Sequence, residues 1–204
     1  DRLETYRRAQ RAQARRDAIL KGIIKRVGHC TLTVNPDGFG CLVHAIISQQ
    51  ISGKAAASIA GRVVKTVKKL TPKNLLAARD EDLRAAGLSA GKLLSLRDLA
   101  EKVHNKTVPL ARLQELDDEE VIARLIPVRG IGRWTAEMFL IFSLGRLDVL
   151  PVADLGLRAG LQRHYGLADL PDKEELTEQA EPWRPYRSIA TWYLWRSLGP
   201  VPQS

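Results

Sequence analysis

Apolar residues recur every three or four positions along most of the chain, and the phase of that recurrence breaks at glycines, prolines and capping residues. Phe39, Leu42, Val43, Ile46 and Ile47 form one stripe of a helix. The next position on that stripe is Gln50, where the run turns polar at Ser48-Gln49-Gln50. Ahead of it, Asn35-Pro36-Asp37-Gly38 is a turn signal. Ser52 stands where it can cap the following helix, and Thr71-Pro72 starts another with proline at its first position. Short helices are predicted over 72–79 and 80–86, ending at Gly87. Ser89 then caps a longer amphipathic helix bearing Leu93, Leu94, Leu96, Leu99 and Val103. Asp117 to Glu120 supply an acidic first turn for the helix that leads into Leu125.

Pro127 cannot continue that helix. Val128-Arg129-Gly130-Ile131-Gly132 follows, where Gly130 and Gly132 can take positive φ and leave room for another backbone to approach. A strongly apolar helix starts at once with Arg133, Trp134 and Thr135 and is expected to stop at Gly145. Unpaired N–H groups at its start, beside glycine N–H groups, make a natural seat for phosphate. Val149 to Val152 is a short extended piece that delivers Asp154 to the next helix. A further helix begins at Asp172, Trp183-Arg184-Pro185 breaks the chain, and the last helix carries Tyr186, Trp192, Tyr193 and Trp195. No β-strand of convincing length and no repeat beyond helix–turn–helix units is visible, so the fold class is all-α.

With 204 residues, 45% of them hydrophobic, the chain is long enough for one domain or two joined lobes around a real core. No apolar run reaches membrane-spanning length and no secretory signal is read at the charged start, which points to a cytoplasmic protein, nucleoid-associated in a bacterium. The formal charge of +9 implies an anionic partner, with nucleic acid first. Part of that charge sits in a basic, helix-forming arm over residues 1–26; a solvated face explains it as well as a contact to DNA. Cys30 and Cys41 are the only cysteines, too few for a four-thiolate zinc or iron–sulfur centre. Cys41 falls in an apolar pattern and is read as a small core residue.

The motif L-x-P-V-R-G-I-G-R-W-T-A, followed about twenty residues later by P-V-A-D-L-G-L-R, resembles the hairpin and essential aspartate of the helix-hairpin-helix DNA glycosylase superfamily. HAIISQQIS (44–52) and EPWRPYRSIATWYLWRSLG (181–199) add to the resemblance, which is strongest to the 3-methyladenine DNA glycosylase II group and covers most of the chain from Phe39 onward. It implies a two-lobed fold with the active-site cleft between the lobes. The expected division is 1–38 as a basic segment packing with the C-terminal helices, 39–145 as a central lobe with the hairpin at about 119–145, and 146–204 completing the second lobe. The chain lacks room for an N-terminal β-rich lobe and resembles the shorter, all-helical members.

The resemblance makes Asp154 the catalytic residue, although an aspartate ahead of a helix is also an ordinary N-cap. It implies hydrolysis of a purine N-glycosidic bond after base flipping, with the carboxylate stabilising positive charge on the sugar or orienting a water. Trp134 stands where strand-nicking members carry a Schiff-base lysine, so a monofunctional enzyme is expected. Trp134 and Trp195 match aromatic base-pocket positions; Met138 and Arg196 occupy pocket positions that hold tyrosine in the relatives. Indole faces suit cationic rings such as 3-methyladenine or 7-methylguanine. Gln50 takes the place of an apolar wedge that enters the hole left by the extruded nucleotide. Gly130, Gly132, Arg133 and Thr135 would hold phosphate, and the carbonyls of Ile126, Val128 and Gly130 match positions that hold a monovalent cation, Na+ or K+. The Gly-Leu-Ser-x-x-Lys segment (87–92) also recurs in the family and is read as a second helix start near the DNA backbone. No other cofactor is implied. The partner is double-stranded DNA containing damaged bases, bound by a monomer. Two other readings stay open: a non-catalytic hairpin DNA-binding protein, and a glycosylase for deaminated or oxidised purines.

Overall fold

The computed structural model describes residues 1–199, and among them every regular element is helical. In chain order the helices are α1 (Arg2–Arg16), α2 (Ala18–Val27), α3 (Gly38–Ser48), α4 (Gly53–Val67), α5 (Pro72–Ala77), α6 (Asp80–Ala85), α7 (Ala90–His104), α8 (Asp118–Leu125), α9 (Arg133–Phe142), α10 (Leu155–Tyr165), α11 (Lys173–Ala180) and α12 (Arg187–Leu198). Short 3₁₀ turns lie at Leu110–Glu115 and Glu181–Trp183. Residues with short polar side chains define the starts. Ser52, Thr71, Ser89, Asp117 and Asp172 each accept a backbone N–H of the helix that follows, and Asp117 and Asp172 do so within complete capping boxes.

The chain folds as two compact units. One is contiguous, Asn35–Leu144; the other joins Asp1–Val34 to the described residues from Gly145 on. In the contiguous unit, α3 packs on α4, α7 and α9, while α5 and α6 lie against α7 and α8 against α9. Its core holds Leu42, Ile46, Ile47, Leu75, Leu83, Leu96, Leu99 and Leu125, all fully buried. In the discontinuous unit α12 is central, packed against α1, α2 and α10. Gly160 lets α10 approach it: a Cβ there would stand 3.1 Å from the Cβ of Leu194.

The basic arm is two helices rather than one, because Asp17 interrupts it. Asp17 Oδ1 accepts the N–H groups of Ile19 and Leu20, capping α2, and Oδ2 accepts the indole N–H of Trp183 at 2.9 Å and the hydroxyl of Tyr165. Burial, together with the Asp17 carboxylate it faces, pushes the Tyr165 phenol well above its ordinary range, so it stays a donor. One face of α1 is buried through Tyr6, Ala9, Gln10 and Gln13, leaving its arginines on the outside. Cys30 is buried too, and that burial raises its thiol to about 12. The helix expected to reach Gly145 ends at Phe142; Gly145, at φ +68°, lies in the turn beyond.

Asp17→Ala would remove a helix cap and leave two buried donors without their acceptor. It should lower unfolding stability by about 2–4 kcal/mol, read from the urea midpoint. A loss below about 0.5 kcal/mol would show that the buried network contributes nothing net.

Candidate active site

The loop that carries Asp154 is fastened to the start of α12. Val149 donates its N–H to Ser188 Oγ at 2.9 Å, and Ser188 donates its own N–H to the carbonyl of Leu147 at 2.9 Å. Arg187 reaches Asp148 Oδ1 at 2.8 Å and also donates to the Asp148 carbonyl. With the loop so anchored, Asp154 N-caps α10: its Oδ1 accepts the N–H of Leu157 at 2.6 Å. The same oxygen accepts the indole N–H of Trp195 at 2.7 Å. Trp195 lies on α12 seven positions beyond Ser188, two turns along the same face. One helix therefore holds both ends of the loop.

Asp154 is only 5% exposed and Trp195 only 2%. A carboxyl group this buried needs donors on its oxygens, and the helix start adds a favourable dipole. Gly156 makes room for the pairing: a Cβ at that position would stand 3.1 Å from Cδ1 of Trp195 and 3.3 Å from Asp154 Oδ1. Trp195 thus differs from the expectation of a wall for the base, since its polar edge is committed to the carboxylate and its surface is covered. Arg196, one residue on, is exposed and its Nη1 reaches the carbonyl of Gly199 at 3.4 Å.

The hairpin belongs to the contiguous unit. Ile131 donates to the carbonyl of Val128 at 3.0 Å, closing the turn between α8 and α9. Gly130 takes φ +83°, as its neighbours demand: a Cβ there would be 2.9 Å from Ser95 Oγ. Gly132, however, has φ −97° and ψ −179°, ordinary extended backbone, so left-handed freedom is used at Gly130 alone. No side chain caps α9, an arrangement that suits an anion at its start.

Four side chains expected here sit differently from one another. Trp134 is 44% exposed at the surface, whereas Thr135 and Met138 are buried in the body of α9. Burial takes Thr135 off the surface that a phosphate would approach, and Met138 is part of the core. Arg133 is not an unengaged cation. Its guanidinium forms a two-pronged pair with Glu119, at 2.5 and 3.0 Å, and reaches buried Glu137 at 3.1 Å. The hydrogen bond that Arg133 donates to Glu119 leads the causes that raise the Arg133 pKa. The charge is locally neutralised, so Arg133 corrects rather than supports a simple phosphate contact.

Gln50 follows the end of α3. Gln49 is the C-cap, and Gln50 adopts φ +60° in the exposed loop that leads to Ser52. The Gln49 amide donates to the Gly130 carbonyl at 2.7 Å, and Lys92 donates to the carbonyls of Ile47 and Gln49 at 2.6 and 2.8 Å. Lys92 is therefore turned to α3, not simply outward as a backbone contact. Gln49, Gly156 and Ser95 are site-shaping residues that pattern reading passed over. Among the carbonyls expected to hold a cation, Val128 and Gly130 already accept hydrogen bonds.

Residues 43–185 match the family model described as HhH-GPD superfamily base excision DNA repair protein. The chain is 34% identical over 198 residues to the alkylbase DNA glycosidase-like protein mag2 of Schizosaccharomyces pombe, covering 94% of this chain and 93% of that one. A crystal structure of a DNA-3-methyladenine glycosidase from Bacillus halodurans superposes with a TM-score of 0.84 at 39% identity, over 92% of this chain and 87% of the other. A 3-methyladenine DNA glycosylase of Schizosaccharomyces pombe in complex with abasic DNA gives 0.80 at 35% identity, over 93% and 95%.

Gly156→Ala should push the indole of Trp195 off Asp154. In a proton–nitrogen spectrum one of the four indole N–H resonances should shift, and Asp154→Ala should move the same one. Two variants that move different resonances, or none, would dissolve the pairing.

Proposed function

The chain belongs to the HhH-GPD superfamily of base excision DNA repair proteins, and we propose that it is a monofunctional DNA glycosylase that excises alkylated purines such as 3-methyladenine and 7-methylguanine. The relatives named for alkylbase or 3-methyladenine excision support this reading. The observation that carries it is the carboxylate of Asp154, buried and oriented by two donors on one oxygen.

Breaking the N-glycosidic bond leaves positive charge on the deoxyribose, which becomes oxocarbenium-like. A fixed carboxylate counters that charge without having to reorganise, and the same group is suited to orient water toward C1′. An alkylated purine with a cationic ring is already a good leaving group, so the paired acids of sugar hydrolases are not needed. Trp134, where a lyase would carry its amine, has no nucleophile to offer. Its exposed indole presents an aromatic face to an electron-poor base. Trp195 acts mainly through Asp154.

The hairpin contributes backbone N–H groups around Gly130 and Gly132 to a phosphate, a contact that positions DNA without reading sequence. Gln50 serves as the wedge in the hole left by the flipped nucleotide. Double-stranded DNA bearing damaged bases is the partner, bound by a monomer. No step is assigned to a metal.

Asp154→Asn keeps a good N-cap and so should fold normally. Release of 3-methyladenine from alkylated duplex should fall about a hundred- to a thousand-fold, while binding to abasic duplex persists; undiminished release would leave only a DNA-binding role. Borohydride added during turnover should trap no enzyme–DNA adduct, and a trapped adduct would contradict the monofunctional mechanism.

A further inference from the structure

Helix α7 carries three polar residues that meet the two loops assigned to DNA. Lys92 donates to the last carbonyls of α3, at Ile47 and Gln49. Ser95 lies under Gly130, within 2.9 Å of where a Cβ would be. Asp98 Oδ2 accepts the N–H of Arg129 at 2.7 Å, and its other oxygen pairs with Lys102. Burial works against the charge of Asp98, but the hydrogen bonds from Arg129 and Lys102 outweigh it and hold the carboxyl below its ordinary range. The spacing 92, 95, 98 places these groups along one helix edge.

The carbonyls at a helix end have no partners within the helix, and a cation there satisfies them and complements the dipole. Lys92 does this for α3 at the point where the chain must turn sharply. Gln50, with φ +60° and no glycine's freedom, is held in a conformation its surroundings must impose. Gln49 ties the same corner to the Gly130 carbonyl. The loop of residues 49–51 and the hairpin, some eighty residues apart in sequence, are thereby pinned to one rigid edge.

We propose that Lys92 is a positioning residue for Gln50: its ammonium fixes the end of α3 so that the Gln50 side chain is presented at a set distance from the phosphate-gripping hairpin. This rests on the reading of Gln50 as the wedge. On this view Lys92 does not touch DNA. It acts through the side chain one residue beyond the farther of the two carbonyls it holds, that of Gln49.

A mutant cycle on the full chain tests it. Binding to a duplex with a tetrahydrofuran abasic site and to the same duplex undamaged would be measured for Gln50→Ala, Lys92→Met, Lys92→Arg and the Gln50→Ala/Lys92→Met double variant. Each of Gln50→Ala and Lys92→Met should cut the preference for the abasic duplex about tenfold, the double variant should lose no more than either alone, and Lys92→Arg should recover most of it. Independent, multiplying losses would overturn the proposal, as would a Lys92→Met loss equal on both duplexes, the behaviour of a plain phosphate contact. If Gln50→Ala leaves the preference intact, the wedge reading itself fails. If Gln50→Ala lowers it and Lys92→Met does not, only the role of Lys92 fails. Should Lys92→Met unfold, Lys92→Gln, which keeps a neutral amide donor but loses the charge, takes its place with the same expected direction.

Discussion

A carboxyl group shielded from water must be supplied with hydrogen-bond donors, and at Asp154 two of them come from different directions. The N–H of Leu157 belongs to the helix that Asp154 itself begins, so it comes with the local fold. The indole N–H of Trp195 arrives from a residue 41 positions away. This second donor makes the geometry of the carboxylate depend on tertiary packing. The fastening of residues 147–149 to Arg187 and Ser188, the absence of a side chain at Gly156, and the close approach at Gly160 all serve to bring α12 against α10 in the register that pairing requires. A group that opposes developing positive charge is useful in proportion to how little it must move, and this arrangement restricts the movement.

The hairpin follows a different logic. Arg133, at the start of α9, is spent on Glu119 and Glu137, and the backbone N–H groups of the turn remain as an attraction for phosphate there. Fixed N–H groups grip without long flexible side chains, and they carry no preference for one base over another. That suits a protein that must inspect many sites for damage. The net positive charge of the chain then serves general attraction to the polyanion.

Much of this was readable in the sequence because helix starts are local events. Ser52, Thr71, Ser89, Asp117 and Asp172 announce their helices within three residues, and each is found capping as expected. The hairpin and the aspartate beyond it were legible as a motif. What escaped was non-local or conformational. Nothing in the pattern links Trp195 to Asp154 or Lys92 to the end of α3. The neutralising of Arg133 was half legible, since Glu137 is four residues along the same helix, but Glu119 meets it only through the turn. Gly132 shows that a glycine in a motif need not use its left-handed freedom, and Thr135 that a polar residue at a helix start need not face solvent.

The discontinuity of the unit that carries Asp154 has an effect on how the chain is made. Residues 35–144 are contiguous, so their contacts can close as soon as they leave the ribosome. The first two helices have to wait: Gln10 meets Tyr193 across 183 positions, and Asp17 meets Trp183 across 166. During synthesis their apolar faces stand without their final partners until α12 emerges. Helix α12, which follows the other described helices in the chain, therefore completes the unit begun by α1 and α2 and sets the aspartate in place, so the ability to cut a glycosidic bond arrives only once α12 has emerged.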